Sequence, residues 1–296
     1  PPDLPEPMPT AFVEYLNAWW ELYQLGGEDE QVAMRELLVP IVERSRNADY
    51  HNLATSSDRE FKQDIISYLS ACVLQDQFGF DTIDYRRHIE EIIPRAVSPE
   101  HLRTRGIDNT MALFFRLRQL GYHGDGPTSC ELWQRPGCVT REHPDLARLD
   151  HRHFWNWMRV YRLTHEIFYL TEFGRVPMQC VSQRDLDYIR RIHVALIPIF
   201  MNHNNADAVA ELIIDLNYLG MTDLAEYDLG RRFLLDRQND DGSWGDHDHI
   251  ARHVALHFRS NPDYLPKVGQ YLHTTGVTLN ALCRPCRPAR RTTQPK

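Results

Sequence analysis

The sequence predicts an all-α protein, built as an (α/α) toroid or a short α-solenoid from about six helix-pair repeats. Three observations carry this expectation. Apolar residues recur every three to four positions through most of the chain, and no run alternates apolar and polar residues as a half-buried strand would. Five apolar segments end on Leu-Gly or Phe-Gly, at Gly26, Gly79, Gly121, Gly174 and Gly220, and glycine is the favoured residue just past a helix end. Those glycines lie 53, 42, 53 and 46 residues apart, with another helical run between successive members. Such a period signals stacked helix pairs.

In order, residues 1–10 carry five prolines and read as an extended Pro-rich arm. Residues 11–282 read as one repeat domain. Helices are expected over 11–25, 31–44 (with Pro40 as a kink), 58–78, 83–97 and 108–120. Residues 122–150 contain Gly124, Gly126, Pro127, Pro136, Gly137 and Pro144 and read as a loop excursion. Helices resume over 154–162, 165–173, 185–200, 207–219, 224–237, 249–259 and 273–282. The last is a sixth repeat member without a closing glycine. In a toroid the more apolar, glycine-closed helices would line the central cavity, with their N-terminal ends around one mouth.

Composition narrows the function classes. The net charge of −8 argues against a nucleic-acid partner for the body of the chain. The basic residues of 283–296, Arg284, Arg287, Arg290, Arg291 and Lys296, read as a solvated flexible tail. No apolar run approaches the roughly 20 residues of a membrane span. Six cysteines in 296 residues are not a disulfide framework, which makes a reducing cytoplasm the default location. Cys283 and Cys286 form a CxxC. A zinc site would need a second pair, and Cys130 with Cys138 is the candidate, at a spacing unsuited to a knuckle. No Gly-rich phosphate loop, GxSxG or HExxH is present, so no nucleotide cofactor is expected.

Residues 238–245 read Gln-Asn-Asp-Asp-Gly-Ser-Trp-Gly. They resemble the QW motif of the terpene cyclases and the β subunits of protein prenyltransferases. That resemblance implies an α/α toroid in which Gln238 caps a helix, Asp241 and Gly242 make a tight turn, and Trp244 packs on the neighbouring repeat. His273-Thr274 is similar to the start of the final inner helix of the prenyltransferase β subunits, where a His binds the catalytic zinc. The family's other zinc ligands have no clear counterpart, and the cyclase motif DxDD and the metal-binding DDxxD are absent.

The candidate site follows from the repeat. His165 and Glu166 are expected to open one glycine-closed helix and His273 another, while Asp108 and Asp207 open two more. With Gly174 and Gly220 as anchors, His165 falls level with Glu211. One mouth would gather His165, Glu166, Glu211 and His273, with Asp108 and Asp207 at its rim. Two imidazoles and a carboxylate with an open position suit a catalytic zinc or non-haem iron, and Glu166 beside it would be a general base. The structural alternatives stay open. A His on an apolar face is often a satisfied core residue, and acidic residues in first turns cap helices and favour their dipoles. His247 follows the QW-like turn and is a further metal candidate. His249, His253 and His257 repeat every four residues, as a ligand face or a solvated stripe would.

The expected function is therefore a metal-dependent enzyme acting on a small organic, apolar or natural-product-like substrate by lyase, cyclase, hydrolase or oxygenase chemistry. Two alternatives stand beside it. One is a non-catalytic binding protein for a peptide or an apolar ligand. The other is metal-independent cyclase-like catalysis with Asp108 or Asp207 as the acid, which requires a raised carboxyl pKa.

Overall fold

The computed structural model describes residues 9–45, 53–143, 157–245 and 265–283. Every regular element among them is helical. Closure into a toroid stays an expectation. The arm at residues 1–8, the segments 144–156 and 246–264 (with His247, His249, His253 and His257) and the tail from 284, with Cys286, lie outside the described residues. The chain divides into two compact units, residues 1–132 and 133–296, where one repeat domain is expected.

The first unit holds α1 (Pro9–Leu25), α2 (Glu28–Ser45), α3 (Asp58–Gln77), α4 (Ile83–Ala96), α5 (Pro99–Arg103) and α6 (Ile107–Gln119). Its centre is α3, which packs against α1, α4 and α6. Ser57 and Glu60 start α3 as a reciprocal capping box, so two of the helix's orphan N–H groups are satisfied before it enters the core. The helix then buries Phe61, Ile65 and every residue from Tyr68 to Gln75. Each fully buried large apolar side chain contributes about 1.5–3 kcal/mol. The next helix, α7 (Ser129–Trp133), carries the chain into the second unit.

The second unit holds α8 (Val139–Glu142), α9 (Trp157–Leu170), α10 (Gln183–Asn202), α11 (Ala206–Tyr218), α12 (Ala225–Asp236) and α13 (Leu265–Cys283). Here α11 is the hub, packed by α9, α10, α12 and α13. Every residue of α11 except Asp207 is buried. Gly230 lets the α12 backbone approach it: a Cβ there would meet Ile213 Cδ1 at 2.6 Å.

Three of the closing glycines do the same thing. Gly79, Gly121 and Gly220 are left-handed, and the next residue's N–H returns to the carbonyl five positions back: Phe80 to Gln75 at 2.9 Å, Tyr122 to Leu117 at 3.0 Å, Met221 to Leu216 at 2.8 Å. This is a Schellman closure. It ends α3, α6 and α11, three deeply buried helices.

Elsewhere the structure differs from expectation. The 122–150 excursion contains α7 and α8. Thr128 and Glu131 cap α7 reciprocally, with N–H bonds of 3.2 and 2.7 Å. The runs expected over 154–162 and 165–173 are joined in α9, and α13 begins eight residues before His273. His165, Glu166 and His273 are therefore mid-helix residues, not helix openers. Asp207 and Asp108 do lie in first turns, of α11 and α6.

Candidate active site

The site starts from an acidic stripe in an apolar helix. Asp207, Glu211 and Asp215 recur every four residues along α11, so they share one face, spaced by about one turn, roughly 5.4 Å of helix axis. Burial deepens along it. The side chains of Asp207, Glu211 and Asp215 are 14%, 2% and 0% exposed.

Two histidines from other helices meet the upper part of this stripe. His165 of α9 places Nε2 3.8 Å from Glu211 Oε1. His273 of α13 places Nε2 3.9 Å from the same oxygen and 3.3 Å from Asp207 Oδ1. Both imidazoles are about one-third exposed. The other Glu211 oxygen, Oε2, accepts from the Thr164 hydroxyl. The Tyr161 ring flanks both imidazoles, at 6.1 Å from His165 and 6.4 Å from His273 between centroids, and Phe168 lies 5.8 Å from His165. Four expected residues, His165, His273, Glu211 and Asp207, are thus brought together. Among the described residues, however, no group of three or more His, Cys, Asp or Glu side chains is arranged to hold a metal ion.

At the sealed end of the stripe, His193 of α10 places Nε2 2.8 Å from Asp215 Oδ2 and Nδ1 2.7 Å from the Ile189 carbonyl. Both side chains are fully buried. Burial pushes the His193 imidazole down to about 4, against the pull of the Ile189 carbonyl. Burial, with the charge of Glu211, pushes the Asp215 carboxyl well up. Neither was singled out from sequence. The signal for Asp215 was present, as the third acid of a four-residue repeat in an otherwise apolar helix. His193 offers none, because its partner is 22 residues away on another helix.

Glu166 is corrected. It follows His165 by one residue, a rotation of about 100° around the helix, and faces α8 instead of α11. It is fully buried. Its carboxylate accepts from Val139 N at 2.8 Å, Thr140 N at 3.0 Å and the Thr140 hydroxyl at 2.7 Å. The Thr140 hydroxyl also accepts from the Trp133 indole at 2.7 Å. Burial pushes the Glu166 carboxyl up, opposed by the bonds from Thr140 and Val139 and by Arg162. It caps a one-turn helix from outside and is not a general base of the His165 site. Asp108 lies in the first turn of α6, in the first unit.

The cysteine expectation is corrected as well. Cys130 and Cys180 are disulfide-bonded, so Cys130 offers no thiolate to a zinc shared with Cys138, Cys283 and Cys286. Cys72, Cys138 and Cys283 are not disulfide-bonded.

The QW-like turn is tight, as the resemblance implies, but Gln238 serves it differently. Its amide donates to the Gly242 carbonyl at 3.0 Å and closes its own turn instead of capping a helix. Asp241 Oδ1 accepts from Ser243 N at 3.0 Å and from its hydroxyl at 2.6 Å. Trp244 is buried. Its indole donates to Leu234 O of α12 at 2.6 Å, and its backbone N–H donates to the Thr275 hydroxyl of α13 at 3.0 Å. The turn therefore holds α13 in place, two residues from His273.

Neither a curated protein nor a solved structure matches the chain. A family model described as a domain of unknown function, DUF6895, matches residues 7–283, and the chain belongs to that family.

Proposed function

We propose that the second unit carries the active site of an enzyme that moves protons on a small organic substrate, with His165 and His273 as the acid–base pair. The observation that carries this reading is that one buried oxygen, Glu211 Oε1, lies within 3.9 Å of Nε2 of both partly exposed imidazoles. Imidazole changes charge near neutral pH. A buried carboxylate orients it and stabilises its protonated form. Two imidazoles on one carboxylate favour a singly protonated pair, because two adjacent positive charges repel. One histidine is then base and the other acid, the division that lyase, cyclase and hydrolase chemistry needs. Asp207 orients His273 in this reading. Tyr161 and Phe168 supply an aromatic wall for an apolar part of the substrate.

A metal-centred version uses the same residues and is the second reading. It is favoured by the nitrogen–oxygen separations of 3.3, 3.8 and 3.9 Å. These exceed a typical hydrogen bond and are near the edge, about 3.4 Å, between two ligands on a tetrahedral zinc. The donors as they stand do not form a metal site, so no step is derived through a metal. The terpene-cyclase and prenyltransferase likeness supports an apolar substrate and nothing finer. The disulfide state of Cys130 and Cys180 supports an oxidising compartment over the reducing cytoplasm expected from cysteine usage.

The test is a substrate panel of esters, β-hydroxy acids and polyprenyl compounds on the full chain, with metal content measured in parallel. His165→Ala and His273→Ala are each expected to lower turnover by about 10²–10⁴-fold while keeping the helical circular-dichroism spectrum. Ligand binding without turnover, unchanged in both variants, would assign a binding protein instead. One equivalent of metal in the parent, lost in the double variant, would assign the metal-centred version.

A further inference from the structure

We propose that His193 and Asp215 form a neutral, proton-sharing dyad in which Asp215 is the acid. The dyad leaves the sealed end of the α11 stripe without charge, one turn below Glu211, the carboxylate that both partly exposed imidazoles approach. Asp215 is then a positioning residue for the site. Its role rests on the acid–base reading above, whereas its protonation state does not.

The proton count follows from geometry. Nδ1 of His193 faces the Ile189 carbonyl at 2.7 Å. A carbonyl only accepts, so Nδ1 carries a hydrogen. Nε2 faces Asp215 Oδ2 at 2.8 Å, a separation that needs one proton between the two atoms. Two arrangements contain the same protons. In one, Oδ2–H donates to a neutral Nε2. In the other, an imidazolium N–H donates to a carboxylate.

Three observations select the first. Both side chains are fully buried, so separated charges would have no water to stabilise them. Asp215 Oδ1 has no hydrogen-bond partner among the described residues; an ionised carboxylate needs partners on both oxygens, whereas the carbonyl oxygen of a neutral acid tolerates their lack far better. Glu211 lies one turn away on the same face, and its charge opposes ionisation of Asp215.

The charged group that bears on the dyad is Glu211 on α11 itself. Glu211 is in turn met by Thr164 and His165 of α9 and by His273 of α13, and on α12 the Tyr227 hydroxyl receives the Asn217 amide at 3.3 Å. With Asp215 neutral, no carboxylate charge lies on the sealed side of Glu211, and Asp207 stands on its open side against His273.

The experiment uses the full chain with ¹⁵N-labelled histidine. Imidazole nitrogen shifts of the unmodified protein are expected to show His193 as the neutral Nδ1–H tautomer, with no titration from about pH 5 to 8. An imidazolium pattern at His193 overturns the proposal. Asp215→Asn supplies a second readout, since the amide N–H donates to Nε2 as the protonated acid does. It is expected to keep the His193 tautomer and to shift the titration midpoints of His165 and His273 by less than about 0.3 unit. A fall of about one unit or more would mean that a charge was removed from the stripe, and would also overturn the proposal. If Asp215→Asn does not fold, the spectrum of the unmodified protein decides. Loss of the acid–base reading appears instead as undiminished turnover in His165→Ala and His273→Ala, with the His193 spectrum unchanged.

Discussion

The two ends of α11 present the same chemical pair, a histidine against a carboxylate, in opposite conditions. At the inner end, His193 and Asp215 are sealed from solvent and meet at 2.8 Å. At the outer end, His273 and His165 are about one-third exposed and stand 3.3–3.9 Å from Asp207 and Glu211. A sealed pair has one arrangement and every deviation leaves a buried polar atom unsatisfied. An open pair can exchange its partner for water or substrate at little cost. The difference teaches that burial, not residue type, separates a histidine that holds the fold from one available for chemistry. Glu166 makes the same point for a carboxylate. One residue from His165, it is fully buried and committed to three hydrogen bonds at the start of α8.

The comparison breaks first at the sealed end. His193→Ala removes a fully buried side chain and leaves both Asp215 Oδ2 and the Ile189 carbonyl without it. The expected loss in urea unfolding is roughly 3 kcal/mol; a loss under about 1 kcal/mol would mean that the pair is not structural.

The pH dependence of stability sharpens it. Asp215 is raised in the fold, so its contribution is present below the ordinary aspartate value of 3.8 and is lost as pH rises above it. His193 is lowered from 6.5 to about 4, so its contribution is present above 6.5 and is lost as pH falls towards 4. The slopes are opposite and cancel between about 4 and 6.5. Where the dyad keeps its proton above 6.5, as proposed, only the Asp215 slope remains, a decline of up to about 1.4 kcal/mol per pH unit. The decline should be visible as the difference between the parent and a variant carrying His193→Leu and Asp215→Leu. A rising difference above pH 6.5 would contradict the neutral dyad.

The smallest effect is expected at the open end. His165→Ala and His273→Ala should each change stability by less than about 1 kcal/mol, while lowering turnover in the proposed reaction by about 10²–10⁴-fold. A stability loss as large as that of His193→Ala would remove the distinction between the two ends and make the outer histidines structural.

How much of this was legible in the chain depends on range. The glycine-closed helices were legible because capping is local: a left-handed residue and one returning hydrogen bond end α3, α6 and α11. The level placement of His165 and Glu211, counted back nine residues from Gly174 and Gly220, has its counterpart in the 3.8 Å between them. The starts of α9 and α13 were misplaced because apolar periodicity marks a helix's face better than its first turn, and no strong cap precedes His165 or His273. The direction of Glu166 was misread because a linear sequence shows His165 and Glu166 as neighbours, whereas a helix turns them about 100° apart.

By itself the sequence determined the helical class, the buried glycine-closed helices and the acidic stripe of α11, since periodicity and capping act within a few residues. Only the tertiary structure decided what each polar side chain on those helices would meet. His193 against Asp215, Glu166 against the start of α8 and His273 against Glu211 join segments 22 to 62 residues apart. Those pairings depend on how far each helix is rotated against its neighbour, which is set by the packing of the whole core and by no local pattern.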